Sequence, residues 1–387
     1  MPSIVIIVLG LYLLAHLYLF LRLRPALPRR RGPRRAAAGI LVFLFSTLFL
    51  AGLGRRFLPP ELSDFFWRVG AWWFGFIFYA ILLLLLLDLA GLLVGAGRLL
   101  FARGKGRRRF PNYGRKTFLA GGAAVAVLLL AGHFNAGQLR VVSHTVRLKS
   151  SCGPIREIDL VLISDLHLGV LVNRGLLRQV VREVDSIRPD LIVLAGDVVD
   201  RDTRILEDRE VGELLSRLRA PLGVYAVTGN HEFITGADRA VEALSRLGMA
   251  FLRDRAVMIG ESFYLAGRED VTVRRRGGTE VPLGEVLAGV DRNCPVILLD
   301  HQPRRIEEAA AEKVDLILCG HTHHGQFFPL NLVTAALYPV SWGYGEMGET
   351  RIYVSGGAGT WGPPVRIGNT PEIVRLRILF NQPGSYL

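Results

Sequence analysis

Cysteine is nearly missing: there are three in 387 residues, at 152, 294 and 319. They form no CxxC pair, so the sequence supplies neither a zinc-ribbon spacing nor a disulfide framework. Cys319 ends the apolar run DLILC and reads as a buried strand residue. Acid is scarce in one stretch only. Up to Arg140 there are 3 Asp+Glu against 19 Lys+Arg, whereas the remainder holds 31 acidic and 28 basic residues. The net charge of +13 therefore belongs to the N-terminal third. A basic protein often suggests nucleic acid. Here the basic residues sit between long apolar runs, which fits anionic headgroups and membrane topology, and no nucleic-acid partner is expected.

A helix needs roughly 20 apolar residues to cross a bilayer. Four segments qualify, at about 4–21, 36–54, 70–97 and 118–132. A cleavable signal peptide would not come with three more spans, so residues 1–137 read as a retained four-helix anchor. The first loop carries seven Arg between 22 and 35, and the third carries eight Lys/Arg between 98 and 116. The second has only Arg55, Arg56 and Arg68. Positive-inside bias then puts loops one and three in the cytoplasm, and both termini with the domain 138–387 outside. The run Gly114-Arg-Lys-Thr-Phe-Leu-Ala looks like a degenerate twin-arginine export signal; it reads equally as the basic flank of a helix. Asp88 interrupts a Leu-rich span with no basic residue evident in the other spans. It is either a functional carboxylate or a protonated packing residue.

From about residue 138 short apolar runs alternate with amphipathic stretches, the pattern of an α/β domain. Strands are expected at 158–164, 191–195, 223–228, 296–299 and 316–319, with further runs at 263–266, 351–355 and 373–380. Helices are expected at 174–187 with Asn173 as N-cap, and at 206–218, 238–247 and 304–312. Six of nine His lie at 167, 231, 301, 321, 323 and 324, each just after one of those strands. The strand ends read SDLHLG, AGDVVD, TGNHEF, LLDHQP and CGHTHHGQ. Ligands gather at the carboxyl ends of strands in open α/β sheets. In Asp165-x-His167 and His321-x-His323 an extended chain points both members to one side, so each pair can meet one metal. Ala195 and Gly196 let the backbone turn tightly before Asp197. A mixed Asp/His/Asn donor set suits Mn, Fe or Zn better than Mg or Ca.

This ordered series, DxH, GDxxD, GNHE, an isolated His and GHxH, resembles the calcineurin-like metallophosphoesterases over about residues 141–380. The GHTHxGQ ending and the N-terminal spans resemble their bacterial membrane-associated branch. The resemblance implies a four-layer αββα sandwich behind an all-helical transmembrane anchor, and two divalent metal ions. It implies that Asp165, His167 and His323 bind one metal, with Asp197 bridging to a second held by Asn230, His301 and His321. His231 would lie near the substrate phosphate, as transition-state stabiliser or acid for the leaving group. Asp200 and Glu232 are placed to orient ligands, or stand at the surface. The branch often has Gly where His324 stands, and His324 is expected to face solvent or pack. Arg366, in GGAGTWGPPVRIG, is where the branch usually has Arg, a candidate phosphate contact. The run 274–276 (Arg-Arg-Arg) reads as the solvated tip of a hairpin.

Two cations so held would lower the pKa of a water towards neutrality and neutralise the phosphate oxygens during in-line displacement. The expected activity is hydrolysis of phosphodiester, pyrophosphate or phosphomonoester bonds at the outer face of the cell membrane. Lipid-linked phosphoesters are a reasonable substrate class, because an anchored domain meets headgroups far more often than dilute solutes. The alternative is a non-catalytic metal-binding or scaffolding module on a membrane protein. Against it, no matched ligand position is missing.

Overall fold

The computed structural model describes residues 2–54, 57–101, 113–149, 151–172 and 174–381. Arg55, Arg56, most of the third basic loop and the expected cap Asn173 lie outside them. The chain divides into two compact units, Met1–Gly132 and His133–Leu387.

The first unit is built from helices α1 (Pro2–Leu23), α2 (Arg31–Gly54), α3 (Pro60–Phe101) and most of α4 (Arg115–Ala136). All four are long and apolar enough to cross a membrane. The 42 residues of α3 make a helix of about 63 Å at a rise of 1.5 Å per residue, longer than the expected span. Pro60 and Glu61 open it, a ring that needs no N–H partner followed by an acid at the positive end of the helix dipole. Asp88 accepts hydrogen bonds from Tyr18 (2.5 Å) and Tyr113 (2.8 Å) and pairs with Arg22. This corrects the expectation of an acid without a cationic partner. Arg22 looks like loop in the sequence, but it sits in the last turn of α1 and its long stem brings the guanidinium to the carboxylate.

The second unit carries two six-stranded mixed sheets. The first has the order β1 (Arg140–Leu148), β12 (Glu372–Phe380), β2 (Glu157–Ile163), β3 (Leu191–Leu194), β4 (Val224–Ala226), β5 (Ala250–Phe251). The second has the order β10 (Gly343–Met347), β11 (Thr350–Val354), β9 (Leu316–Cys319), β8 (Val296–Leu299), β7 (Phe263–Gly267), β6 (Arg255–Ile259). The period of two in their sequences sorts the faces. Leu160, Leu162, Leu191 and Val193 meet Ile297, Leu299, Leu316 and Leu318 in one core between the sheets. Val161, Ile163, Ile192 and Leu194 face outward onto α5 (Arg174–Ile187), α6 (Arg209–Ser216) and α8 (Ala237–Ser245). Val296, Leu298, Ile317 and Cys319 face α9 (Leu283–Val286) and α10 (Ile306–Ala311). Helices thus cover the outer face of each sheet, the four-layer αββα arrangement. Helix α5 buries Leu177, Val180, Val181 and Val184, the i, i+3, i+4, i+7 stripe of an amphipathic helix.

Several local expectations are corrected. The helix expected at 206–218 is split, because the Asp208 side chain accepts from the Glu210 and Val211 N–H groups and starts α6 afresh. Arg274–Arg276 end a 3₁₀ turn, Val271–Arg276, closed by Gly277 at φ 87°. They are exposed, but β7 and β8 run parallel, so the segment is a crossover and no hairpin. Cys152 and Cys294 form a disulfide across a sequence separation of 142. Two isolated cysteines so far apart carry no spacing signal, and the fold alone brings them together.

Candidate metal centre

The strands β2, β3 and β4 of one sheet and β8 and β9 of the other end at the same place. Asp165 and His167 follow β2, Asp197 follows β3, Asn230 opens the short helix α7 (Asn230–Thr235) after β4, His301 follows β8, and His321 and His323 follow β9. Turning from a strand into this site takes unusual backbone. Asp165, His167, Asp197, His321 and His323 all have positive φ, between 47° and 74°. Such left-handed conformations in non-glycine residues are costly and cluster at functional sites. Close approach of the loops needs glycine at two points: a Cβ on Gly229 would come 2.1 Å from Asp197 Oδ1, and one on Gly320 2.4 Å from Asp165 Oδ2.

The side chains form two clusters of donor atoms, Asp165–His167–His323 and Asp197–His301–His321, the atoms of each lying within 4.8 Å of one another. Asp197 stands between them. Its Oδ2 is 3.3 Å from His301 Nε2 and 3.7 Å from His167 Nε2. Asp165 Oδ1 is 3.3 Å from His323 Nε2. Asn230 Oδ1 lies 3.2 Å from His301 Nε2, on the side of Asp197. The surrounding bonds fix these groups. His301 Nδ1 donates to Ala195 O at 2.7 Å, which leaves Nε2 directed at the cluster. The backbone N–H of His321 donates to both Asp165 oxygens, and that of His231 to Asp197 Oδ1 at 2.8 Å.

Glu232 is wholly buried, and its carboxylate accepts from four backbone N–H groups, those of Asp197 (2.9 Å), Val198 (2.8 Å), Val199 (3.2 Å) and Gly229 (2.7 Å). It therefore ties the Asp197 loop to the Gly229 loop. Asp200 holds His231, whose Nδ1 is 2.9 Å from Asp200 O and 3.0 Å from Oδ1, leaving Nε2 for other contacts.

Charge at the centre is strongly coupled. Burial opposes ionisation of Asp197, but the imidazoles of His301 and His231 outweigh it and hold the carboxyl well below its usual range. Burial would lower His231, yet Asp197 and the hydrogen-bonded Asp200 raise it to about 10. Burial and the neighbouring His301 push His321 down to about 3. Burial, and then the Asp197 charge, push Glu232 up to about 7 against the pull of the Gly229 and Val199 N–H groups.

Residues 158–325 match the family model for calcineurin-like phosphoesterase. A metallophosphoesterase of Aquifex aeolicus is 35% identical over 258 residues, covering 66% of this chain and 97% of that protein. The chain belongs to the calcineurin-like metallophosphoesterase family. Its phosphoesterase domain is also 34% identical over 226 residues to a metallophosphoesterase of Helicobacter pylori, across 58% of this chain. It is 33% identical over 264 residues to a "Transmembrane protein with metallophosphoesterase domain" of Danio rerio, across 65% of this chain. The matches span 60% of each of those two relatives.

The phosphoesterase donor set fits divalent cations. Two fully buried carboxylates face four imidazoles, and the Nε2 atoms of His167 and His323 point at one another 3.0 Å apart. Two ring nitrogens aimed at one spot between carboxylates are what a shared cation orders. His324 is half-buried, with its ring 4.4 Å from that of Trp342, so it packs as expected. Arg366 differs from its expectation. It is fully buried and donates from Nε to Gly359 O, from Nη1 to Asn369 Oδ1 and from Nη2 to Gly357 O. Its Nη2 also lies 3.3 Å from His323 Nδ1. The guanidinium is spent on the loop behind His323. Sequence reasoning passed over Gln326, whose buried amide donates to Trp361 O and Pro363 O and accepts from Trp361 N–H. The signal was its place at the end of CGHTHHGQ, one residue past the turn His323–Gly325.

Proposed function

We propose that this chain is a membrane-anchored, two-metal phosphohydrolase whose domain, from about residue 138, works outside the cytoplasm. The observation that carries the reading is the single Asp197 oxygen set between two imidazole clusters, the position of a bridging ligand. Asp165, His167 and His323 would hold one cation, and Asn230, His301 and His321 the other, with Mn, Fe or Zn suited to the mixed donors. When bound, such cations supply Lewis-acid charge to the phosphate oxygens and a nucleophilic water at neutral pH.

The chain's own residues do the rest. Asp200 fixes His231 by Nδ1 and turns Nε2 to the substrate, where it stabilises the transition state or protonates the leaving oxygen. Glu232 keeps the Asp197 and Gly229 loops in register so that the ligands need not reorganise. The Cys152–Cys294 disulfide supports an oxidising compartment for this unit, in line with the basic loops. Phosphoesters carried by lipids are the favoured substrate class.

The test is hydrolysis of bis-p-nitrophenyl phosphate and p-nitrophenyl phosphate by the detergent-solubilised protein with Mn²⁺, beside Asp197→Ala and His231→Ala. Asp197→Ala is expected to lose bound metal and turnover together. His231→Ala should keep its metal while turnover falls by about 10²–10⁴-fold. Full turnover in Asp197→Ala would sink the proposal.

A further inference from the structure

Just past the ligands His321 and His323 the chain changes character. From residue 325 to 345 there is no Asp, Glu, Lys or Arg. The centre of this stretch is α11 (Leu330–Leu337), LNLVTAAL, in which no residue is buried. Phe328 is 51% exposed, Leu332 62% and Leu337 67%. The other eight- and nine-residue helices of the unit, α6 and α8, bury an apolar stripe and turn charge outward. An uncharged helix that leaves Leu332, Val333 and Leu337 exposed and buries no residue fully cannot be accounted for by the core. It is also too short to cross a bilayer, which takes roughly 20 residues.

Its two ends have informative neighbours. At its start, Phe328 donates its N–H to Ile367 O and packs on Gly368, whose Cα lies close enough that a Cβ would come 2.9 Å from Phe328 Cβ. The same loop receives the last turn of α4. His133 Nδ1 lies 2.8 Å from Pro364 O, and Asn135 donates to Arg366 O and Asn369 O. Phe134, between them, is 70% exposed. The chain therefore enters this unit, from a helix apolar enough to span a membrane, at the very loop that backs Phe328. At the other end of α11, Tyr338 brings its ring to 6.4 Å from that of His321.

We propose that α11 with Phe328 is a lipid-docking element: it lies in the bilayer interface with its leucines among the acyl chains, and so holds the metal centre at headgroup height. Contiguous exposed apolar patches mark protein or membrane interaction sites, and one continuous with a membrane-spanning helix favours the membrane. The inference rests on the reading of a membrane-anchored phosphohydrolase and adds how its substrate arrives. A phosphoester on a lipid reaches His321 along α11 with its chains still in the membrane.

The full-length protein in phosphatidylcholine–phosphatidylglycerol nanodiscs tests this. Cys319 is buried and the other two cysteines are bonded, so Leu332→Cys takes a single environment-sensitive fluorophore. Doxyl-labelled lipid should remove about half of its emission, and leave a label at Arg246→Cys, on the exposed end of α8, unchanged. Absence of quenching at position 332 overturns the proposal. That holds even if the emission is blue-shifted, since a second copy of the chain would then be the occupant. The double variant Leu332→Glu with Leu337→Glu should keep its turnover of soluble bis-p-nitrophenyl phosphate and lose at least about tenfold on a bilayer-embedded phosphoester, the scale of losing two buried leucines from the interface. Equal losses on both would also overturn it. A wild-type protein inert on the soluble diester would count against the phosphohydrolase and leave the quenching result to stand by itself.

Discussion

Replacing Glu232 by glutamine is the sharpest structural perturbation the metal centre offers. Each carboxylate oxygen serves two donors: Oε1 takes the Val198 and Val199 N–H groups, Oε2 those of Asp197 and Gly229. An amide can present only one oxygen, so its NH₂ must face two N–H donors in a site with no exposed surface. Two buried donors without an acceptor cost about 1–3 kcal/mol each, or roughly 2–6 kcal/mol together. That is a large part of the 5–15 kcal/mol typical of a whole domain. The assay is thermal unfolding of the full chain in detergent, followed by metal content of the folded fraction. Glu242→Gln, an exposed partner of Arg246, is the control and should change stability by under about 1 kcal/mol. Glu232→Gln should unfold well below it and retain less metal, because the Asp197 loop is no longer tied to Gly229. A Glu232→Gln protein as stable and as metal-loaded as the control would refute the role assigned to this carboxylate.

Other expectations follow from the same structure. Reducing or removing the Cys152–Cys294 bond, which closes a loop of 142 residues, should destabilise the second unit by at most about 5 kcal/mol. Unfolded without reductant, the disulfide-bonded protein should show one reactive thiol, Cys319, in a thiol titration. Arg366→Lys should lower the unfolding temperature, since one amine cannot replace a guanidinium bonded to three acceptors; two unpaired acceptors cost roughly 2–6 kcal/mol. A change confined to KM would instead restore Arg366 as a phosphate contact. Asp88→Asn leaves Arg22 without its anion and should loosen the first unit by about 3 kcal/mol or more, read as earlier thermal aggregation in detergent.

The parts of the fold that were legible in the sequence are those buried on both faces. Strands β3, β8 and β9 are unbroken apolar runs and β2 is one from Leu160 onward, and α5 matches its expected bounds because four valines and leucines fall on one stripe. Strand β1 escaped notice: its pattern RVVSHTVRL mixes polar and apolar residues because most of it is exposed, and it exists by pairing with β12. Edge strand β10, with two glycines in five residues, carries no strand signal of its own. Helix α11 has apolar residues without a helical period, so nothing distinguished it from a loop. The candidate ligands were legible because a cluster of Asp, Asn and His at strand ends is a choice of residue types that packing does not demand. The burial of Arg366 was not legible for the converse reason. A buried arginine satisfied by carbonyls looks, in one dimension, like any arginine in a glycine-rich loop.

The two sheets do not own separate sites. One contributes Asp165, His167, Asp197 and Asn230, and the other His301, His321 and His323, so each cation would be gripped from both. Metal acquisition would then fasten the sandwich, a clasp across two half-shells. A chain starved of cations should breathe along that seam first, exchanging the amides of the strand ends while the sheet interiors stay closed.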